Sequence, residues 1–171
     1  MTFLITGVPG SGKTTIAKKL ALKLGLPLID VNKLVLEKKL FYPSKEKEKT
    51  VKLKALERAL KKIILKQECV VDSHLLCEMC LGKKIFVLRC NPLVLEKRLL
   101  KRRYSRAKIK ENVLSEVLDY CVVKAEENYS RVIQINNSRG VCVKKILKEK
   151  KDVVSWLDAK VIKRFASLEK L

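Results

Sequence analysis

The chain has 171 residues, with 39 Lys and Arg against 18 Asp and Glu, and so a formal charge of +21. With 47% apolar residues it can fill the core of one domain without disulfide staples, which excludes disorder throughout. The longest run free of charged side chains, residues 1–12, is too short for a spanning helix and lacks the basic start and small-residue cleavage site of a signal peptide, so an integral membrane protein is not expected.

Short β-rich runs alternate with longer amphipathic ones, the pattern of βαβ units and of an α/β protein with a parallel sheet. Residues 2–6 (TFLIT) read as a strand. Residues 13–24 read as a helix with Ile16, Leu20 and Leu24 on one face; Gly25 closes it and Pro27 prevents its resumption. A short strand at 28–31 leads into a helix to about residue 40, followed by a loop at 41–49 with Pro43 and a mixed charge run, KEKEK. Residues 50–66 return to helical spacing through Leu53, Leu56, Leu60 and Ile63, and residues 69–72 and 85–89 are apolar runs of the buried-strand type. After Pro92 a helix runs towards Arg102, and a break at 104–107 precedes one long helix, about 108–128. Residues 132–135 give the last strand and 141–150 a basic helical segment. The spacing of Trp156, Leu157, Val161, Ile162 and Phe165 predicts a docked C-terminal helix.

Gly7-Val8-Pro9-Gly10-Ser11-Gly12-Lys13-Thr14 fits GxxxxGK[ST] in full, between an apolar strand and an amphipathic helix. In that setting backbone N–H groups and the positive helix end converge on a phosphate, Lys13 can reach the β and γ phosphates, and the Thr14 hydroxyl can bind Mg²⁺. The run Cys69-Val70-Val71-Asp72 ends an apolar strand in a carboxylate that can hold the metal or its water. His74, the only histidine, stands two residues on, where an extended backbone sends both side chains to one face.

Between 97 and 110 lie Lys97, Arg98, Lys101, Arg102, Arg103, Arg106, Lys108 and Lys110 with no acidic residue, which suits a hinged lid placing arginines over phosphates. Arg139 is a second candidate at the nucleotide's outer edge, with a plain surface role equally open. The six cysteines lie in or beside apolar segments, as reduced thiols do in the cytoplasm. Cys77 and Cys80 form a CxxC, but structural zinc needs further ligands and the chain has one histidine, so free thiols are the simpler expectation.

These motifs resemble the P-loop nucleoside monophosphate kinases, and more closely the adenylate kinase isoenzyme 6 type of archaea and eukaryotes, ATPases connected with small ribosomal subunit maturation. GVPGSGKTT, VVDSH, IFVLRCNPLVLEKRLLKRRY and QINNSR carry the likeness, which spans about residues 3–147. It implies a single three-layer P-loop domain over 1–171, with a five-stranded parallel sheet flanked by helices. A monophosphate-binding region falls at about 30–53, a lid at about 101–111 and a C-terminal helix at about 151–171. It also implies that Gly10, Ser11, Gly12, Lys13, Thr14 and Thr15 bind ATP phosphates, that Thr14 and Asp72 hold Mg²⁺, and that Asp72 and His74 orient water. Arg102 becomes the lid arginine and Arg139 a nucleotide contact. Lys33 stands where relatives often have Asp, Arg103 replaces a lid glycine, and the 43–49 loop is basic where relatives tend to be acidic.

Two activities are expected from such a site: phosphoryl transfer from ATP to AMP or another monophosphate, and ATP hydrolysis that drives assembly. The resemblance implies a platform protein of the small ribosomal subunit and ribosomal RNA as partners, a monomer or a partner heterodimer, and a cytoplasmic setting, nuclear in a eukaryote. Two alternatives remain at this level. One is a basic RNA-binding module with a nucleotide switch, although no aromatic RNA-binding motif is present. The other is a shikimate-type metabolite kinase.

Overall fold

The protein is described by a computed structural model covering residues 2–43, 50–140, 143–157 and 161. Five short strands, β1 (Phe3–Thr6), β2 (Leu28–Asp30), β3 (Val70–Asp72), β4 (Lys84–Arg89) and β5 (Arg131–Asn136), form one parallel sheet in the order β2-β3-β1-β4-β5. Phe3 pairs with Val70 and Ile5 with both Asp72 and Phe86. That register sets the ends of β1 and β3 side by side, where the strand order reverses about β1 and α/β sheets bind ligands.

The strands are apolar on both sides because helices cover both faces. Phe3, Ile5, Val70, Phe86, Leu88, Ile133 and Ile135 pack against α1 (Lys13–Leu24) and α7 (Val143–Leu147) through Ile16, Ala17, Leu20, Val143 and Ile146. The alternate residues Leu4, Val71, Ile85 and Val87 face α2 (Val31–Glu37), α3 (Leu53–Lys66), α4 (Pro92–Lys101), α5 (Arg106–Val117) and α6 (Tyr120–Asn128). Period-two alternation along each strand thus separates two cores, as the pleat requires.

Local chemistry sets the helix ends. Gly25 (φ +64°) ends α1, with Leu26 N–H donating back to Ala21 O at 3.0 Å, a left-handed cap that suits glycine. Asn91 caps α4 ahead of Pro92, and Ser105 caps α5 by accepting Lys108 N–H at 3.3 Å.

Three expectations are corrected. The helix expected to start at 50 begins at Leu53, because Phe41 and Val51 bridge and Lys52 N–H donates to Leu40 O at 2.9 Å. The single helix expected over 108–128 is two, α5 and α6, broken at Leu118 and Asp119. There Arg89 donates to Glu116 O at 3.1 Å and also bonds the Asp119 carboxylate, while Asp119 takes the left-handed conformation (φ +56°) that a short polar side chain tolerates. Residues 151–157 are not helical; the rest of the expected C-terminal helix, apart from Val161, falls outside the described residues, as do 44–49, 141 and 142. Among the described residues, no helix is long and apolar enough to cross a membrane.

Candidate functional site

The loop from Gly7 to Gly12 wraps the N-terminus of α1. Lys13 Nζ donates to the carbonyls of Gly7 at 2.7 Å and Val8 at 3.0 Å, so its ammonium is held inside the loop. Burial pulls the Lys13 pKa down to about 8, partly opposed by Cys121 and Asp72. Two glycines are needed for space as well as for conformation. At Gly10 (φ +88°) a Cβ would lie 2.8 Å from Leu95 Cδ1, and at Gly12 (φ +97°) 2.3 Å from Asn137 Nδ2.

The parallel pairing of β1 and β3 brings Asp72 to the start of α1, where Thr14 Oγ1 donates to Asp72 Oδ2 at 2.8 Å. A hydroxyl and a carboxylate at this distance are hard oxygen donors that fit Mg²⁺, an ion that keeps several of its waters. Thr14 and Asp72 are the residues that would hold it. Beyond Asp72, Ser73 Oγ accepts Leu75 N–H at 3.2 Å and starts a 3-10 turn, His74–Glu78. The His74 carbonyl accepts from Thr6 Oγ1 at 3.3 Å and Cys77 Sγ at 3.1 Å, which fixes the base of the imidazole. His74 as a residue is exposed at the cleft. Desolvation by the cleft walls, and then the charge of Lys13, lower its pKa below the ordinary imidazole value.

Lys13, Thr14, Thr15, Asp72, His74 and Arg102 line one cleft of about 470 Å³, together with Asp30 and Tyr104. A second hollow of about 700 Å³ continues past Gly10, Gly12 and Thr15 and is lined by Lys19, Arg98, Lys101, Arg102, Asn137 and Gly140. A third, of about 520 Å³ and mostly apolar, opens from His74 between α2 and α3, lined by Asn32, Val35, Leu36, Thr50, Val51, Leu53 and Leu75. Arg139 is not brought to the cleft. Its side chain lines a separate hollow with Asn136, Asp152 and Trp156 behind the β5–α7 loop, while Asn137 and Gly140 face the P-loop.

Other residues near the site are not apparent from sequence motifs. Asn137 Nδ2 donates to Ser11 O at 2.7 Å, pinning the P-loop from the end of β5. Arg98 lies inside the basic cluster but bonds inward, to Asn137 O at 3.0 Å, Ser138 O at 2.9 Å and Gly10 O at 3.4 Å. It ties α4 to both loops, whereas Arg102, the C-cap of α4, faces the cleft. Arg102, Arg103, Tyr104 and Ser105 form the short connection to α5. Cys77 is buried and Cys80 exposed, so the CxxC thiols lie in different environments.

A parallel sheet ordered 2-3-1-4-5, with a GxxxxGKT loop at its central strand and a carboxylate from the next, defines a P-loop nucleotide-binding protein. The AAA domain family model matches residues 4–119. A Methanocaldococcus jannaschii protein named "Putative adenylate kinase" is 33% identical over 168 residues, covering 92% of this chain and 94% of its own. A Thermococcus kodakarensis protein of the same name is 36% identical over 138 residues, covering 81% and 77%. The chain belongs to this family of adenylate-kinase-like P-loop proteins. Among solved structures it is similar in fold to shikimate kinase from Acinetobacter baumannii in complex with shikimate. That match has a TM-score of 0.56 and 17% identity, covering 87% of this chain and 89% of that one. A sugar kinase from Janibacter gives a TM-score of 0.53 at 18% identity, covering 86% and 94%.

Proposed function

We propose that this protein is a nucleoside monophosphate kinase that moves the γ-phosphoryl group of ATP to AMP or a related monophosphate, with ATP hydrolysis as a side activity of the same site. The observation that carries this reading is the Thr14–Asp72 pair beside the Lys13 loop, within a family whose relatives bear the adenylate kinase name. The P-loop amides and Lys13 bind the β and γ phosphates, and Arg102 approaches from the lid at about 101–111 to balance charge on the group in transfer. Mg²⁺, when bound, neutralises phosphate charge and fixes the oxygens for in-line displacement. The acceptor occupies the hollow between α2 and α3, the monophosphate-binding region at about 30–53, so that His74 stands between donor and acceptor. With water in place of the acceptor, His74 and Asp72 orient it for attack.

One observation favours a second role alongside the first. A charge of +21 far exceeds what one nucleotide needs, and suits an ATP-dependent factor working beside ribosomal RNA with a platform protein of the small subunit. ADP formation from ATP, measured with and without AMP and again with ribosomal RNA, separates the two. Stimulation by AMP supports the kinase, and stimulation by RNA alone supports the assembly factor. Absence of any ADP formation contradicts both.

The Lys13 pKa of about 8 predicts a pH dependence. A bound polyphosphate raises that pKa, so binding needs the proton in place. Below about pH 7 Lys13 is charged before and after binding and affinity is level; above about pH 8 a proton must be taken up, and affinity falls by up to about tenfold per pH unit. Calorimetric titration of ATP across this range is expected to show the fall, and Lys13→Arg, which stays charged, is expected to abolish it.

A further inference from the structure

Residues 151–157 have no regular secondary structure, yet they are anchored at two points. They run along the edge strand β5 with inward and outward side chains alternating: Asp152 and Trp156 point in, while Val153 is 99% exposed. At the first anchor Asp152 N–H donates to Gln134 O at 2.9 Å, and Asp152 Oδ2 accepts Asn136 N–H at 2.8 Å. Lys145 Nζ donates to the same carboxylate at 2.5 and 2.6 Å. At the second, Trp156 Nε1 donates to Glu116 Oε1 at 2.8 Å. That one oxygen also accepts Arg89 Nε at 2.8 Å and Cys90 N–H at 3.0 Å, in a site where Arg89 and Glu116 are 1% and 2% exposed.

Both anchors lead to the P-loop. Asn136, held by Asp152, precedes Asn137, whose amide holds Ser11 O. Cys90, held by Glu116, contacts Arg98 through its sulfur at 3.3 Å, and Arg98 reaches Gly10 O and the Asn137 carbonyl. The two routes end on adjacent residues of the loop, and Asn137 belongs to both. Among the described residues Asn137 Oδ1 and Ser11 Oγ are buried without partners, so the position of the Asn137 amide depends there on few other bonds.

We propose that residues 151–157 are a strap whose Asp152 and Trp156 act as positioning residues for the P-loop, so that nucleotide affinity depends on whether the strap is docked. The affinity part rests on the nucleotide-site reading above; the positioning part does not. A ligand that orders Ser11 and Gly10 tightens the strap, and a partner that lifts the strap weakens the ligand, because the coupling is reciprocal.

Trp156 is the only tryptophan, so its emission reports the strap directly. Hydrogen–deuterium exchange of the full chain without nucleotide compares the parent with Asp152→Asn, Asp152→Ala and Trp156→Phe, the last keeping an aromatic, though smaller, ring while removing the donor. The Asp152 variants are expected to shift Trp156 emission to the red. In all three variants, amide exchange across residues 8–13 is expected to speed up by about fivefold or more, with the Kd for ATP rising by a similar factor. Val153→Ala, on the outer side, is expected to change neither. If Asp152→Ala is globally unstable, Trp156→Phe carries the comparison. A red-shifted Trp156 with unchanged exchange across 8–13 overturns the proposal, as does Trp156→Phe with parental exchange. A parent chain that binds no ATP refutes the nucleotide reading instead, and the exchange comparison still decides the strap.

Discussion

Lys13→Ala is expected to lower both AMP phosphorylation and ATP hydrolysis by about three orders of magnitude, with little change in thermal stability. Lys13 is the charged side chain held within the loop itself, bonded to the Gly7 and Val8 carbonyls. A triphosphate offers it oxygens that carry full negative charge, which it serves better than two neutral carbonyls. The loss should therefore fall mainly on the transfer step, where charge moves through the γ-phosphoryl group. Stability changes little because the lysine's own burial already opposes its charge, as its lowered pKa records, so the desolvation penalty removed offsets the bonds lost to the Gly7 and Val8 carbonyls. Steady-state turnover alongside a thermal melt checks both halves. Full turnover in Lys13→Ala contradicts the assignment of the loop.

Asp72→Asn is expected to cost roughly two orders of magnitude at low magnesium and to recover in part as magnesium is raised. The amide keeps the shape of the carboxylate and can still accept the Thr14 hydroxyl bond seen at 2.8 Å, so the architecture of the β1 and β3 ends persists. What is lost is the negative charge that holds the ion. The half-saturating magnesium concentration should therefore rise, while thermal stability stays near that of the parent. A magnesium titration of ADP formation distinguishes this from simple misfolding, which added ion would not rescue.

The parts of the fold legible in the sequence are those set by neighbouring residues. The strand, loop and helix from Phe3 to Leu24 follow from an apolar run, a glycine pattern and an amphipathic repeat, and Asp72 stands out as the charged end of an apolar strand. The helix stop at Gly25 and the helix start at Pro92 are of the same local kind. The break between α5 and α6 was not legible because its cause, Arg89, lies 27 residues before Glu116 and 30 before Asp119. Local spacing alone continues the helix through Leu118. Asn137 pins Ser11 across 126 residues, and no periodicity reports such a contact. The basic cluster divides in the same way. Arg98 and Arg102 are one helical turn apart on one face, yet Arg98 bonds the Asn137 and Ser138 carbonyls while Arg102, at the C-cap, lines the cleft, a difference set by the loops that each position reaches. Residues 151–157 read as helical by spacing, but the Asp152 and Trp156 anchors draw them along the sheet edge instead.

The proposed reaction passes the γ-phosphoryl group to a nucleoside monophosphate held beside His74. Following that group directly in ATP labelled at the γ position, with AMP present and Mg²⁺ saturating, tests it most simply. Most of the label is expected in the β position of newly formed ADP, with a minor share as inorganic phosphate. Label found only in inorganic phosphate at every AMP concentration, or retained in ATP, would contradict it.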